Sequence, residues 1–327
     1  MTDFRMAIYD DYGDADVIRI VSQAELPVPS KGEVRLRVHA SSVNPKDTFV
    51  RKGRFKHLTG EPFPHRMGYD FAATIDAVTN DQEGFEVGER VYGFLNNWAG
   101  GAFADYVIAK VNEIAKAPQG CSAQIAAVVP LASQTALQAL RDVGSLRKGQ
   151  SILINGASGG VGYFAVQIAK TLGAVVTAVA SDSNEKLCRD GGADNFLCYD
   201  TLDFEKKDIG KYDLLFDVFG NRSLSEVSQA LTENGIYITT VPNPETFADI
   251  GATQGDSGKR ARMIVVESRT DDLAWIAQQL EQREIQVEID RTYPLEQLVE
   301  AHRHVETKHT RGKVCVLISQ SSPEEVR

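Results

Sequence analysis

Residues 151–173 leave this chain the fewest choices. Ser151-Ile152-Leu153-Ile154-Asn155 is an apolar, β-branched run, Gly156, Gly159, Gly160 and Gly162 follow at once, and Phe164, Ile168 and Leu172 then recur at helical spacing. A buried strand, a tight turn and an amphipathic helix fit these three textures. Glycines at such a turn let the backbone approach a diphosphate, and the helix start offers unpaired N–H groups and the positive end of its dipole. On its own, a glycine-rich turn can equally serve to pack a helix on a sheet. Here the next apolar run, Ala174 to Ser181, opens directly after Leu172-Gly173, as a βαβ unit requires. Dinucleotide binding is therefore expected, with Ser158, Gly159, Gly160 and Val161 against the phosphates.

From this unit onward the chain alternates. Strand-like and helix-like runs follow as Ser151 to Asn155, Gly159 to Leu172, Val175 to Ala180, Glu185 to Asp190, Asn195 to Tyr199, Leu214 to Val218, Leu224 to Leu231 and Gly235 to Thr240. That order predicts an α/β fold, a doubly wound parallel sheet with helices on both faces. The first part of the chain has another texture. Val34 to Ala40 alternates apolar and polar, and Phe71 to Val78, Arg90 to Phe94 and Phe103 to Ile108 are further short strands, which predicts a small, mostly β domain. Ala123 to Leu140, rich in alanine, reads as a helix between the two. Leu273 to Gln282 and Leu295 to Val305 read as helices and Lys313 to Ile318 as a last strand. Pro242 to Arg262 fixes no regular structure, and the polar end, 319–327, is expected to fray.

Three function classes are disfavoured by composition. A net charge of -10 over 327 residues, without a basic block, argues against a nucleic-acid or anionic-membrane surface. No apolar run approaches the ~20 residues that span a bilayer, and acids throughout Met1 to Arg19 are unlike a leader, so a cytoplasmic address is expected. Cys121, Cys188, Cys198 and Cys315 show no short paired spacing, which suggests neither a zinc ribbon nor a disulfide framework but buried small hydrophobes.

Several ordered motifs carry more. Val43-Asn44-Pro45-Lys46-Asp47 running on to Gly53, Phe63-Pro64-His65-Arg66-Met67-Gly68-Tyr69-Asp70, Gly84 to Gly93, Gly101-Ala102-Phe103-Ala104-Asp105-Tyr106, the glycine turn, Gly192-Ala193-Asp194 and Arg311-Gly312-Lys313-Val314 follow one another along the chain. Together they resemble the medium-chain dehydrogenase/reductase superfamily in its zinc-independent quinone oxidoreductase branch, over essentially the whole length. The resemblance implies a GroES-like domain over 1–123 completed by 293–327, a Rossmann domain over 124–292, hydride transfer with a nicotinamide nucleotide, and a homodimer. In the superfamily's zinc alcohol dehydrogenases the metal ligands are Cys, His and Cys, at positions that match Asn44, Tyr69 and Leu131 here. None of these is a good zinc ligand, and no cysteine precedes Cys121 to build the family's structural zinc loop. No metal is expected. An acceptor activated by its own conjugation, a quinone or an α,β-unsaturated ketone, then suits the pocket. The Asn44 amide, Lys46 ammonium and Tyr69 hydroxyl are the candidate donors to the oxygen that gains charge, and Lys46 or Tyr69 can deliver a proton. Asp47 and Asp70 are expected to brace the loops. The plainer alternatives are that Asn44 satisfies loop backbone and Lys46 is a solvated charge.

The nucleotide follows from the end of the second strand. An NAD-preferring Rossmann domain places an acid there; here Val175 to Ser181 ends without one, and small Ser181 leaves room for a 2′-phosphate. By resemblance Tyr199 clasps that phosphate. The usual basic positions hold Ser183 and Asn184, with Asp182 beside them, an anion unfavourable to a phosphate unless a cation intervenes. Lys186, two places late, is the candidate cation, with an outward helix charge as its alternative. NADPH is expected, NADH being possible. Thr135 by resemblance, and Phe219 and Val241 by their place after later strands, belong to the nicotinamide side or else pack strand ends. Two rivals stay open: a reductase of enones, enals or enoyl thioesters, with Arg51, Arg54, Lys56, Arg260 and Arg262 available to a phosphate-bearing thioester, and a nucleotide-binding sensor without turnover.

Overall fold

The computed structural model describes residues 4–60, 62–79, 84–201, 210–255 and 257–319; the end expected to fray lies, from residue 320, outside them. Two compact units emerge. One comprises Met1–Leu131, Glu267–Gln282 and Val287–Arg327, the other Ala132–Val266 and Arg283–Gln286.

The second unit is built on six strands in the order Asn195–Cys198, Val175–Ala180, Ser151–Asn155, Tyr212–Asp217, Leu231–Thr239 and Arg260–Met263. All five pairings are parallel. Ser151–Asn155 is central and apolar along its length because both faces are covered. From it the chain winds outward one way, then returns and winds the other, so the winding reverses at its carboxyl end, where open sheets of this kind bind ligands. The helix Gly160–Thr171 lies against this strand. Their closeness is set by glycine: a Cβ on Gly162 would stand 2.0 Å from the Gly156 carbonyl oxygen, and Gly156 itself turns at φ 85°.

The first unit carries a seven-stranded sheet. Ile289–Pro294, Lys313–Leu317, Glu33–Val43, Asp70–Val78, Arg90–Phe94 and Ile114–Lys116 follow in that order, with Tyr106–Lys110 also paired to Glu33–Val43. A three-stranded sheet joins Ile18–Gln23, Phe4–Tyr9 and His65–Arg66. The long strand Glu33–Val43 alternates buried and half-buried residues and then runs fully buried from Ala40 to Val43, where its neighbours converge.

Four details differ from the sequence pattern, the first two for a plain local reason. The helix expected from Ala123 to Leu140 is broken: Ala123–Ala127 starts on the Ser122 hydroxyl, which accepts from the Ile125 N–H at 3.3 Å, and a second helix, Pro130–Gln138, begins at the proline. Pro130 lacks an N–H to continue the first helix but suits the first turn of another. Within Pro242 to Arg262 a helix does form, Pro244–Ala252, because Asn243 Oδ1 accepts from the Thr246 N–H at 2.7 Å and Pro244 follows the cap. The helix at Leu224 is only Leu224–Val227, and the next strand starts early, at Leu231. The strand expected over Phe103 to Ile108 is Tyr106–Lys110. Of the cysteines, Cys188 and Cys315 are buried, while Cys121 and Cys198 are half-exposed, and none is in a disulfide.

Candidate active site

Strand register assembles the first cluster. Ser42 stands opposite Asp70 on one side and Cys315 on the other, while Val314 pairs with Val43, which brings Lys313 beside Asn44. Asp70 is fully buried. Its Oδ1 accepts from the Leu131 N–H at 2.8 Å, and its Oδ2 accepts from the Ser42 hydroxyl at 2.5 Å and from Asn44 Nδ2 at 2.8 Å. Lys313, 5% exposed, places its ammonium 3.7 Å from Asp70 Oδ2 and donates to Asn44 Oδ1. Burial lowers the Lys313 pKa against the opposing pull of Asp70 and Asp47.

Asp47 occupies the third position of the helix Pro45–Arg51, and its Oδ2 accepts the Asn44 N–H at 2.8 Å, closing the helix start. Its other oxygen is buried without a hydrogen-bond partner among the described residues. Burial pushes this carboxyl up to about 7, although Lys46 and Lys313 pull the other way. Asp47 and Asp70 thus both receive backbone N–H groups, the bracing expected of them.

Lys46 differs from its neighbours. Its Nζ lies 3.8 Å from the centroid of the Tyr69 ring and 4.9 Å from that of Trp98, and it has no hydrogen-bond or ion-pair acceptor among the described residues. Cation–π contact tolerates a charge there, yet burial still lowers its pKa to about 8, with Asp47 and Asp70 opposing the shift. Tyr69 is buried, donates to the Trp98 carbonyl at 3.1 Å, and is held well above the usual phenol range by burial. Asn44 commits its amide to Asp70 and Lys313. Of the three candidate donors, Lys46 is therefore the one with hydrogens to spare.

The second unit gathers most of the candidate nucleotide residues at the carboxyl ends of its strands. Ser158, Gly159, Gly160 and Val161 are half-exposed, and the helix they open has no acid in its first turn and no side chain capping it. A Cβ on Gly159 would meet only the Gly156 oxygen, at 3.6 Å. Phe219 packs beside Gly156, whose missing Cβ would lie 2.8 Å from its ring, and Val241 packs beside Gly220. Both hang on a feature that sequence reasoning missed. Asp217, fully buried at the end of its strand, accepts from Asn155 Nδ2 at 2.8 Å, from the Tyr237 hydroxyl at 3.0 Å and from the N–H groups of Gly220 and Arg222 at 3.0 Å each. A lone acid closing the apolar run Leu214-Leu215-Phe216 was the available signal.

At the second strand's end, the Ser181 hydroxyl is 3.1 Å from that of Ser183 and accepts from Asn184 Nδ2 at 2.8 Å. Lys186 pairs along its own helix with Asp190 at 2.6 Å, as Arg189 does with Glu185 at 2.7 Å. Exposed pairs of this kind are worth under ~1 kcal/mol, so a phosphate could compete for either cation. Tyr199 is half-exposed, with its N–H on the Ala180 carbonyl. Thr135 is buried in the helix Pro130–Gln138. Arg51, considered for a phosphate-bearing thioester, is fully buried and paired with Glu306, and Arg262 donates to the Thr253 and Ala261 carbonyls.

The place matching the superfamily's zinc site offers a poor donor set. Asn44, Tyr69 and Leu131 stand at the ligand positions, the Asn44 amide is taken, and a lysine ammonium already shares the place. Zinc prefers thiolate, imidazole or carboxylate. Among the described residues no group of three His, Cys, Asp or Glu side chains could hold a metal ion.

Residues 30–119 match the alcohol dehydrogenase GroES-like domain family, and residues 191–316 match the zinc-binding dehydrogenase family. The chain is 30% identical over 319 residues to the chloroplast envelope quinone oxidoreductase homolog of Arabidopsis thaliana, covering 94% of this chain and 96% of that protein. It is 29% identical over 347 residues to the mitochondrial NAD(P)H oxidoreductase RTN4IP1 of Mus musculus, covering 94% and 88%. Its fold superposes on the quinone oxidoreductase from Coxiella burnetii with a TM-score of 0.89, at 27% identity, covering 97% of this chain and all of the other.

Proposed function

The chain belongs to the medium-chain dehydrogenase/reductase superfamily, among its quinone oxidoreductase-like oxidoreductases, and from that premise we propose that it reduces quinones and similar conjugated carbonyl acceptors with NADPH and without a metal. The observation that carries this reading is the Lys46 ammonium, paired with no anion among the described residues and set over two aromatic rings. When bound, the reduced nicotinamide supplies a hydride to the acceptor. Negative charge then gathers on the acceptor's carbonyl oxygen, and Lys46 meets it as hydrogen-bond donor and then gives up a proton, which solvent restores. The Tyr69 and Trp98 rings, the latter tilted against Phe55 with centroids 5.1 Å apart, offer apolar surface to a planar acceptor.

Preference for NADPH draws support from Ser181, which ends the second strand where an NAD-preferring domain carries its acid, and from the Ser183 hydroxyl and Asn184 amide beside it; Asp182, the one anion of this turn, follows the strand instead of closing it. A homodimer in the cytoplasm belongs to the same reading; among the described residues no helix is long and apolar enough to cross a membrane. The test mixes the purified protein with NADPH or NADH and a small quinone, an enone or an enoyl thioester, and follows nucleotide absorbance. Quinone-dependent oxidation of NADPH supports the proposal. Tight nucleotide binding with no oxidation across the panel refutes it and favours a sensor.

A further inference from the structure

Buried in the first unit is a charge pair that the proposed chemistry does not use. Lys313 and Asp70 are both out of water, and neither an ammonium nor a carboxylate tolerates that alone. The local backbone is shaped to bring them together. Gly312 turns at φ 70°, with the Glu288 carbonyl oxygen 2.3 Å from where a Cβ would stand, and the strand it opens places Lys313 against Asn44. Asp70 in turn holds Ser42, Asn44 and Leu131. Chain segments 42–44, 70, 131 and 313 are thereby fastened at one carboxylate and one ammonium.

We propose that Lys313 is the internal counter-cation of the acceptor pocket, a positioning residue whose ammonium holds the Asp70 carboxylate and the Asn44 carboxamide in place, the tying task a metal ion bound there would perform. A divalent cation would have to enter beside that ammonium and displace hydrogen bonds already made. The groups around the pair are few. Lys313 faces Asp70, Asn44, Asp47 and the Cys315 thiol; Asp70 faces Lys313, Ser42, Asn44 and the Leu131 N–H, with Asp47 and Lys46 nearby.

The experiment compares the full chain with Lys313→Met, Asp70→Asn, the double variant and Lys313→Arg, by melting temperature from about pH 5.5 to about pH 8.5. In Lys313→Met the buried Asp70 carboxylate is left without its cation, so the folded state favours a proton there more than the unfolded chain does. Stability is then lost as pH rises, and the melting temperature falls with pH more steeply than in the parent chain. Removing both charges abolishes that slope and restores at least half of the loss, and Lys313→Arg keeps most of it. A pH-independent loss in Lys313→Met, or a double variant that loses the sum of the singles, would overturn the proposal. Should Lys313→Met fail to fold, the double variant decides: it folds if unpaired charge is the defect and fails if the bulk of Lys313 is. In the folded double variant, kcat/KM for the quinone drops about tenfold while KM for NADPH holds within about twofold. Unchanged kcat/KM would reduce Lys313 to a stability residue and sink the positioning role. That kinetic arm rests on reading the pocket as an acceptor site; a parent chain without turnover refutes that reading and leaves the melting comparison to judge this one.

Discussion

Lys46→Met tests the chemistry most directly. With a pKa of about 8, the Lys46 ammonium is about nine-tenths protonated at pH 7 and about one-tenth protonated at pH 9. If its acid form donates to the acceptor oxygen, kcat/KM for a quinone is flat below about pH 7 and falls tenfold per unit well above pH 8. The size of the mutational effect follows from what is removed. A positioned donor to developing charge is worth on the order of 10²-fold, or ~2.7 kcal/mol, in a site sheltered from water. Lys46→Met keeps the stem over Tyr69 and loses only the charge, so it lowers kcat/KM about 10²-fold and erases the alkaline limb. Lys46→Arg, charged at every accessible pH, keeps part of the rate and also lacks the limb. Asp47→Asn removes an anion that supports the ammonium, so the limb moves to lower pH. Steady-state rates across pH, with melting curves to establish folding, supply the measurement. A Lys46→Met variant within about twofold of the parent, or one that keeps the alkaline limb, refutes the role assigned to Lys46.

Other outcomes follow from single contacts. Ser181→Asp sets a carboxylate at the end of the second strand and raises KM for NADPH about tenfold or more while leaving KM for NADH nearly unchanged; equal effects on both nucleotides would remove Ser181 from the phosphate side. Gly159→Ala leaves the fold intact, since its Cβ would find room, but weakens nucleotide binding in a titration, whereas Gly162→Ala drives a Cβ into the Gly156 carbonyl and lowers the melting temperature or prevents folding. His302 is buried edge-on to Phe103 with neither ring nitrogen partnered among the described residues, and burial, with the Arg51 charge, pushes its pKa down to about 3. The folded state therefore prefers neutral His302, so stability is full above about pH 6.5 and declines as pH falls, by ~2.7 kcal/mol at pH 4.5. His302→Leu flattens the acid side of the stability profile in denaturant titrations; an unchanged profile would show that other groups set it.

What was legible in the chain and what was not divides along sequence distance. The glycine turn could be read because strand, turn and helix write their periods within about 20 adjacent residues, and its steric demands act between neighbours such as Gly156 and Gly162. Asn44, Lys46 and Tyr69 could be selected because two short loops carry them. Their division of labour could not. Whether Asn44 faces outward or inward depends on Lys313, 269 positions away, and only the register of Lys313–Leu317 on Glu33–Val43 brings the two together. A one-residue slip of that strand would turn Lys313 to the other face and leave Asp70 buried without a cation. The errors closer to home have a different origin. Alanine content suggested one helix over Ala123 to Leu140, but a single missing N–H at Pro130 outweighs the propensity of several alanines. Asn243-Pro244 likewise starts a helix that the polarity of its surroundings concealed. Lys46 has spare donors because Asn44 is anchored by Lys313 and the Tyr69 hydroxyl by the Trp98 carbonyl. The donor that any acceptor meets is thus chosen by residues whose own partners lie far along the chain.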